Sequence, residues 1–151
     1  MRQLAKIVAD ESGVGLSEIM LLRHGTAKVE RLEQHGATIE EYTLVQPAGS
    51  RYDFEADGMP KIAVVVVIVR DAVHSVYRIL GVEAHGTTRT LTSPEFNAFD
   101  RSLKYRELSA KRFRAQRLDS STVGLPVTGW GAPRHCTLRA GMSMFDSIQV
   151  P

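Results

Sequence analysis

Seven basic side chains lie in the segment Arg101–Arg117, against a single acidic one, Glu107. Such a density of Lys and Arg attracts phosphate groups, because neutralising a nucleic-acid backbone releases its condensed counterions. The segment therefore predicts salt-dependent contact with DNA or RNA, and the alternative is an ordinary solvated surface. The basic residues are Arg101, Lys104, Arg106, Lys111, Arg112, Arg114 and Arg117.

The tripeptide Arg23-His24-Gly25 follows a short apolar run. It resembles the phosphohistidine motif of histidine phosphatases, in which the histidine attacks phosphorus and the arginine binds the phosphoryl group. That family also needs a second arginine and a second histidine downstream. Arg51 and His85 are the best-placed candidates, although their flanking residues depart from the family's pattern. In the alternative interpretation, Arg23 and His24 hydrogen-bond the backbone and join the first loop to the sheet.

The pattern His-x-Thr occurs three times, beginning at His24, His85 and His135. It resembles two-histidine phosphoesterases, in which two such motifs on adjacent strands supply imidazoles for acid and base catalysis while the threonines bind phosphate oxygens. His85 and His135 are the candidate pair. This hypothesis predicts imidazole nitrogens within about 7 Å of each other, flanking one phosphate.

Metal and cofactor chemistry finds little support in the sequence. It contains no His-Glu-x-x-His motif and no glycine-rich phosphate loop. Asp53, Glu55 and Asp57 alternate without the glycine and terminal glutamate of a calcium loop. The single cysteine, Cys136, excludes an internal disulfide and a cysteine-based zinc site. We therefore expect no metal and no cofactor.

The run Ile62–Val69 is almost entirely β-branched. It predicts a strand that is buried on both faces and lies at the centre of a sheet. The alternating stretch Val76–Val82 predicts an antiparallel neighbour near a sheet margin or a wet groove. The other stretches must pack on this pair of strands or extend it.

The remaining patterns predict a single α+β domain over residues 1–151, with an antiparallel or mixed sheet of about four or five strands and helices mainly in the N-terminal third. Residues 105–117 fit either a strand or a helix. Pro126 marks an edge strand, since proline cannot donate to a ladder. We predict helices over 2–12, 26–34, 38–46 and 134–139, another beginning at Ser93-Pro94, and strands over 123–130 and 144–150. Residues 17–25 fit a short strand or a helix that ends at Gly25, and we favour the strand.

Composition is that of an ordinary folded protein. The 151 residues are 43% hydrophobic and 24% charged, and the N-terminus lacks the apolar run of a signal or membrane anchor. With one cysteine, a cytoplasmic setting without membrane contact is expected. Charge is unevenly divided: residues 1–60 hold six basic and ten acidic side chains, net −4, and residues 61–151 hold thirteen and seven, net +6.

A set of short motifs also runs along most of the chain in a fixed order. It consists of Arg23-His24, Tyr42-x-x-x-Gln46, a buried strand, Val76-Tyr77-Arg78-Ile79-x-Gly81, Val127-x-Gly129-Trp130-Gly131-x-x-Arg134 and a closing apolar strand. This order resembles the N-terminal module that precedes the nuclease domain in some uncharacterised bacterial GIY-YIG proteins. The chain departs from that module at His135-Cys136, where an aromatic residue is usual, and it contains neither a Gly-Ile-Tyr nor a Tyr-Ile-Gly element.

The resemblance implies a nucleic-acid recognition module without catalysis of its own, whose partners are DNA or RNA and a separate nuclease. The same residues suit a binder. Tyr42, Tyr77 and Trp130 could line a pocket or stack on bases, and Arg78 and Arg134 offer forked donors to phosphate or guanine. Arg23 and His24 are candidate phosphate ligands. A phosphoesterase and a small-molecule or protein-interaction module are the alternatives.

Overall fold

The fold is taken from a computed structural model that describes residues 1–34, 36, 38–46, 62–84, 111–131, 135–137 and 142–151. Contacts divide the chain into two compact units. The first contains Met1–Gly25 and the described parts of Phe54–Ile79 and Gln116–Pro151, and the second contains those of Thr26–Asp53 and Leu80–Ala115. The helix predicted at Ser93-Pro94 lies outside the described residues.

Eight strands and four helices are formed. The strands are β1 (Arg2–Gln3), β2 (Ile19–His24), β3 (Val45–Gln46), β4 (Val64–Val69), β5 (Ala72–Ala84), β6 (Lys111–Arg117), β7 (His135–Thr137) and β8 (Gln149–Val150). The helices are α1 (Leu4–Ser12), α2 (Thr26–Gln34), α3 (Ile39–Leu44) and α4 (Met142–Ser147), with a 3-10 turn at Leu16–Glu18. These counts refer to the described part of the chain, which confirms an α+β fold with mixed strand pairing and helices mostly near the N-terminus.

Strand β4 is the centre of the first unit. All six of its residues are buried, as its β-branched sequence predicts. β2 pairs with it in parallel, from Ile19 opposite Val64 to His24 opposite Val69, and β5 pairs with it antiparallel. β7 pairs antiparallel with the other edge of β2. The order β5-β4-β2-β7 therefore gives a mixed sheet.

A tight hairpin joins β4 to β5. Arg70 and Asp71 both have positive φ, 51° and 58°, which is the backbone of a two-residue turn matched to the twist of the strands. Val67 pairs with Ser75 and Ile68 with Val73, so His74 is an extra residue in a β-bulge. The pairing confirms two neighbouring antiparallel strands.

Strand β5 does not form the margin of the sheet, because β6 lies on its other side, and the alternative expectation of a wet groove stays a prediction. The polar residue that suggested a margin has a partner inside the unit: the Arg78 Nη2 donates to the carbonyl of Ser12 at 2.7 Å. Arg78 thus satisfies an acceptor at the C-terminal end of α1, where helix carbonyls have no intrahelical donor.

The hydrophobic core of the first unit lies between α1, α4 and one side of the strands. Leu4, Ala5, Val8 and Ala9 of α1 are buried, and the helix ends at Gly13, whose φ is 70°. Phe145 and Ile148 enter the same cluster from the C-terminal segment. Burial of this face stabilises both helices, since a six-residue helix such as α4 is too short to persist alone.

Three predicted elements in the C-terminal third differ from the structure. Within the described residues, 123–130 form isolated bridges, at Pro126 and Thr128, because proline lacks a donor and Gly124 and Gly129 adopt positive φ. The helix predicted over 134–139 is contradicted at His135–Thr137, which pairs with β2. The strand predicted over 144–150 is mostly α4, with a strand at Gln149–Val150 that pairs with Arg2–Gln3.

The second unit contains α2 and α3. Val29 and Leu32 of α2 are fully buried, and the prediction of a helix over 26–34 is confirmed. The next helix ends at Leu44, earlier than predicted, and β3 follows it. β3 pairs antiparallel with β6, which lies between β3 and β5. None of the described helices is both long and apolar enough to cross a membrane.

Candidate nucleic-acid interface

The C-terminal part of the basic segment is strand β6, which we call the basic strand. Its sequence, KRFRAQR, contains four cationic residues and no acidic one. Lys111 and Arg112 occupy register positions opposite Gln46 and Val45 of β3. Arg114 and Arg117 are exposed. The cations stand at positions 111, 112, 114 and 117, and because successive side chains of a strand alternate between its faces, Arg114 and Arg117 project from opposite faces.

Arg114 lies across the neighbouring strand at Gly81. Its Nη2 is 3.4 Å from the position that a Cβ of residue 81 would occupy. A Cβ at residue 81 would be in ordinary van der Waals contact with this guanidinium, which places the Arg114 side chain beside Gly81.

A second cationic feature lies in the first unit, at the end of β2. The guanidinium carbon of Arg23 is 5.4 Å from the centroid of the Trp130 ring, and its Nη2 donates to the carbonyl of Gly131 at 2.9 Å. A cation within about 6 Å of an indole centroid is attracted by the ring quadrupole. We call Arg23, Trp130 and Gly131 the aromatic corner.

Trp130 is held in place from several sides. Its indole is half-buried and packs against the hydrophobic core. Two residues earlier, Thr128 forms two backbone hydrogen bonds of 2.9 Å with Gln149. Gly129 has φ of 82°, and a Cβ there would collide with the Ser147 carbonyl oxygen. The Ser147 hydroxyl donates to the Gly129 carbonyl at 3.0 Å. The loop that carries the indole is therefore pinned to the end of α4.

The predicted site residues have different surroundings. Tyr77 has no exposed surface, so in this conformation its ring has no face on which a base could stack. Arg78 donates to Ser12 within the first unit, and His24 is 8% exposed. Tyr42 lies in α3. The predicted roles of Lys104, Arg106 and Arg134 fall outside the described residues.

The contact between Arg23 and Trp130 was not apparent from the sequence. Arg23 and Gly131 are 108 positions apart, and no local pattern links them. The pairing of β2 with β7 brings Arg23 close to the residues that precede β7. This pairing cannot be deduced from the sequence of either strand alone.

Of the two histidines proposed for catalysis, the structure describes only His135. His135 and Thr137 lie in β7, with His135 opposite Leu22 of β2. His85 lies outside the described residues, so the predicted separation of the two imidazoles stays a prediction. Among the residues that the structure describes, no three His, Cys, Asp or Glu side chains are grouped in a way that could hold a metal ion.

No protein-family model matches the chain, and neither does any curated protein or any solved structure. Its function has to be inferred from its own residues.

Proposed function

We propose that the chain is a nucleic-acid-binding recognition module without catalysis of its own. The observation that carries this proposal is the basic strand, in which Arg114 and Arg117 are exposed among four cations and no acid. Exposed guanidinium groups pair with phosphate through two parallel hydrogen bonds, and several of them along one strand give affinity that does not depend on sequence.

The aromatic corner supports the same proposal. Arg23 is the predicted phosphate ligand at the end of β2, and its guanidinium is oriented by Trp130 and Gly131. An oriented guanidinium loses less conformational entropy on binding than a mobile one. Protein surfaces that bind nucleic acid use such combinations of arginine and aromatic side chains.

A nuclease is the proposed partner. The order of motifs shared with the module that precedes GIY-YIG nuclease domains supports this, and this chain contains neither of the two elements that name that nuclease. In this proposal the chain recognises the nucleic acid in the cytoplasm and a separate protein cuts it. Binding by the isolated chain should therefore leave the nucleic acid intact.

Replacing two exposed arginines of the basic strand tests the proposal. We expect Arg114→Gln combined with Arg117→Gln to weaken binding of a fluorescently labelled oligonucleotide about 10-fold at low salt, because the exposed arginine on each face of the basic strand is lost. Lys6→Gln is the control, since Lys6 is an exposed cation on α1. Fluorescence anisotropy measures both affinities. Equal binding by the double variant and the wild type would refute the role of the basic strand.

The second candidate function is a phosphoesterase that uses His85 and His135. The observation in its favour is that His135 and Thr137 lie within a strand, as the two-histidine enzymes require of each motif. We expect a His135→Ala variant to lose hydrolysis of a chromogenic phosphodiester if this function is correct. An inactive wild-type protein would rule it out.

A further inference from the structure

We infer that the aromatic corner is a preassembled platform for one unpaired base and its phosphate, which makes the module selective for single-stranded over duplex nucleic acid. This inference rests on the proposed function and names its substrate class. It concerns Arg23 and Trp130, whereas the basic strand supplies contact with any phosphate backbone.

The platform exists before a ligand arrives. The guanidinium carbon of Arg23 lies 5.4 Å from the centroid of the Trp130 ring. Its Nη2 donates a hydrogen bond of 2.9 Å to the carbonyl of Gly131. Trp130 is in turn held by the core and by the loop that Gly129 brings against Ser147. Both groups therefore keep their orientation without help from a ligand.

The aromatic corner is partly exposed to solvent. Arg23 and Trp130 are each half-buried, and their neighbours Thr128, Gly129 and Gly131 are exposed. The hydrogen bond between Arg23 and Gly131 also lies at the surface. Both side chains therefore keep solvent-exposed surface that a ligand can contact.

The guanidinium of Arg23 can bind two different groups of one ligand. A guanidinium carries five N–H donors in one plane, and the bond to Gly131 uses a donor of Nη2. The plane of the group can stack on a base, while donors at its edge can bind a phosphate oxygen. A planar ring and an anion attached to each other are what a nucleotide provides.

The platform distinguishes single strands from duplexes by the accessibility of their base faces. In a duplex each base face is covered by the next base pair, so a fixed guanidinium and indole have nothing to stack on. An unstacked base in a single strand offers its face at little cost. Stacking on one residue is worth about 10-fold in affinity, and a preference of that size is expected here.

Trp130 is the single tryptophan of the chain, so its emission reports on this corner alone. We expect a single-stranded oligonucleotide to change Trp130 emission saturably, and a duplex of the same sequence to bind about 10-fold more weakly with little change in emission. An oligonucleotide with abasic sugars should bind through its phosphates without the emission change. Free N-acetyltryptophanamide in the same titration corrects for absorbance of the nucleic acid.

Arg23→Lys isolates the platform from the charge. Lysine keeps the positive charge but lacks the planar guanidinium. We therefore expect the ratio of single-strand to duplex affinity to fall to about 1 while duplex binding is retained. Arg2→Lys is the matched control, because Arg2 is also an arginine bound to a backbone carbonyl, that of Pro151, at 2.7 Å. Thermal unfolding of each variant checks that it is folded.

The outcomes distinguish a failure of the platform from a failure of the proposed function. A wild-type protein that binds no oligonucleotide refutes the proposed function. A wild type that binds single and double strands equally, or binds abasic and normal strands with the same emission change, refutes the platform and leaves the basic strand's role intact. Should Arg23→Lys fail to fold, the abasic comparison on the wild type still decides.

Discussion

Gly129 shows how one residue positions the aromatic corner. Its φ of 82° lies in the left-handed region, and its α-carbon approaches the end of α4 so closely that a Cβ would lie 2.8 Å from the Ser147 carbonyl carbon. Gly124 has a similar φ of 88°, but a Cβ there would have no neighbour within 4 Å. A side chain at Gly124 would therefore introduce backbone strain alone, whereas one at Gly129 would introduce both strain and a steric collision.

We expect Gly124→Ala to lower the free energy of unfolding by about 1 kcal/mol, the cost of a side chain at positive φ. Gly129→Ala should cost about 3 kcal/mol or more, because the loop must also move away from α4. Urea unfolding followed by Trp130 emission measures both. Equal losses in the two variants would contradict the close approach at Gly129.

The sequence predicted some of the residues of this corner but not their arrangement. Arg23 was a candidate phosphate ligand and Trp130 a candidate stacking residue, since each type has a limited set of roles at a surface. Their contact depends on pairing between β2 and a strand more than a hundred residues later, so it could not be predicted from local spacing. Tyr77 was a candidate for the same reason, and it is fully buried, whereas Leu80 of the same strand is 51% exposed, so strand position alone does not decide the burial of a side chain.

Among the secondary-structure elements, local sequence patterns predicted those whose own residues determine their conformation. β4 is uniformly β-branched, and α1 has apolar residues at helical spacing with a glycine at its end. The C-terminal third was harder because its elements are short and depend on distant partners. α4 exists because Phe145 is buried in the core, and β7 because it pairs with β2.

The hairpin between β4 and β5 gives a test at this scale. Asp71 has φ of 58°, a conformation that glycine adopts without penalty and a β-branched residue adopts poorly. We expect Asp71→Gly to raise the free energy of unfolding by about 0.5 kcal/mol and Asp71→Val to lower it by about 1 to 2 kcal/mol.

Urea unfolding of both Asp71 variants provides the measurement, with the two substitutions serving as controls for each other. Each removes the same carboxylate, so the loss of charge is common to both. A change of the same sign and size in the two would show that the carboxylate, rather than the backbone of the turn, sets the stability.

For the whole molecule, the main feature is the division of charge along the chain. The first 60 residues have net charge −4 and the remaining 91 have +6, and the basic strand belongs to the second group. The chain has one overall net charge of only +2, so attraction to a polyanion must come from local concentrations of cations. This is why individual arginines, and not total charge, decide the proposed function.

The salt dependence of binding tests the central claim most directly. Each phosphate neutralised by a cation contributes to the slope of log affinity against log salt concentration, by about 0.7 in a single strand. The account predicts a steep negative slope for the wild type with a single-stranded oligonucleotide, and a slope shallower by about 0.7 to 1.4 for the combined Arg114→Gln and Arg117→Gln variant, which loses one or two phosphate contacts. Absence of binding at low salt, or the same slope in both proteins, would contradict it.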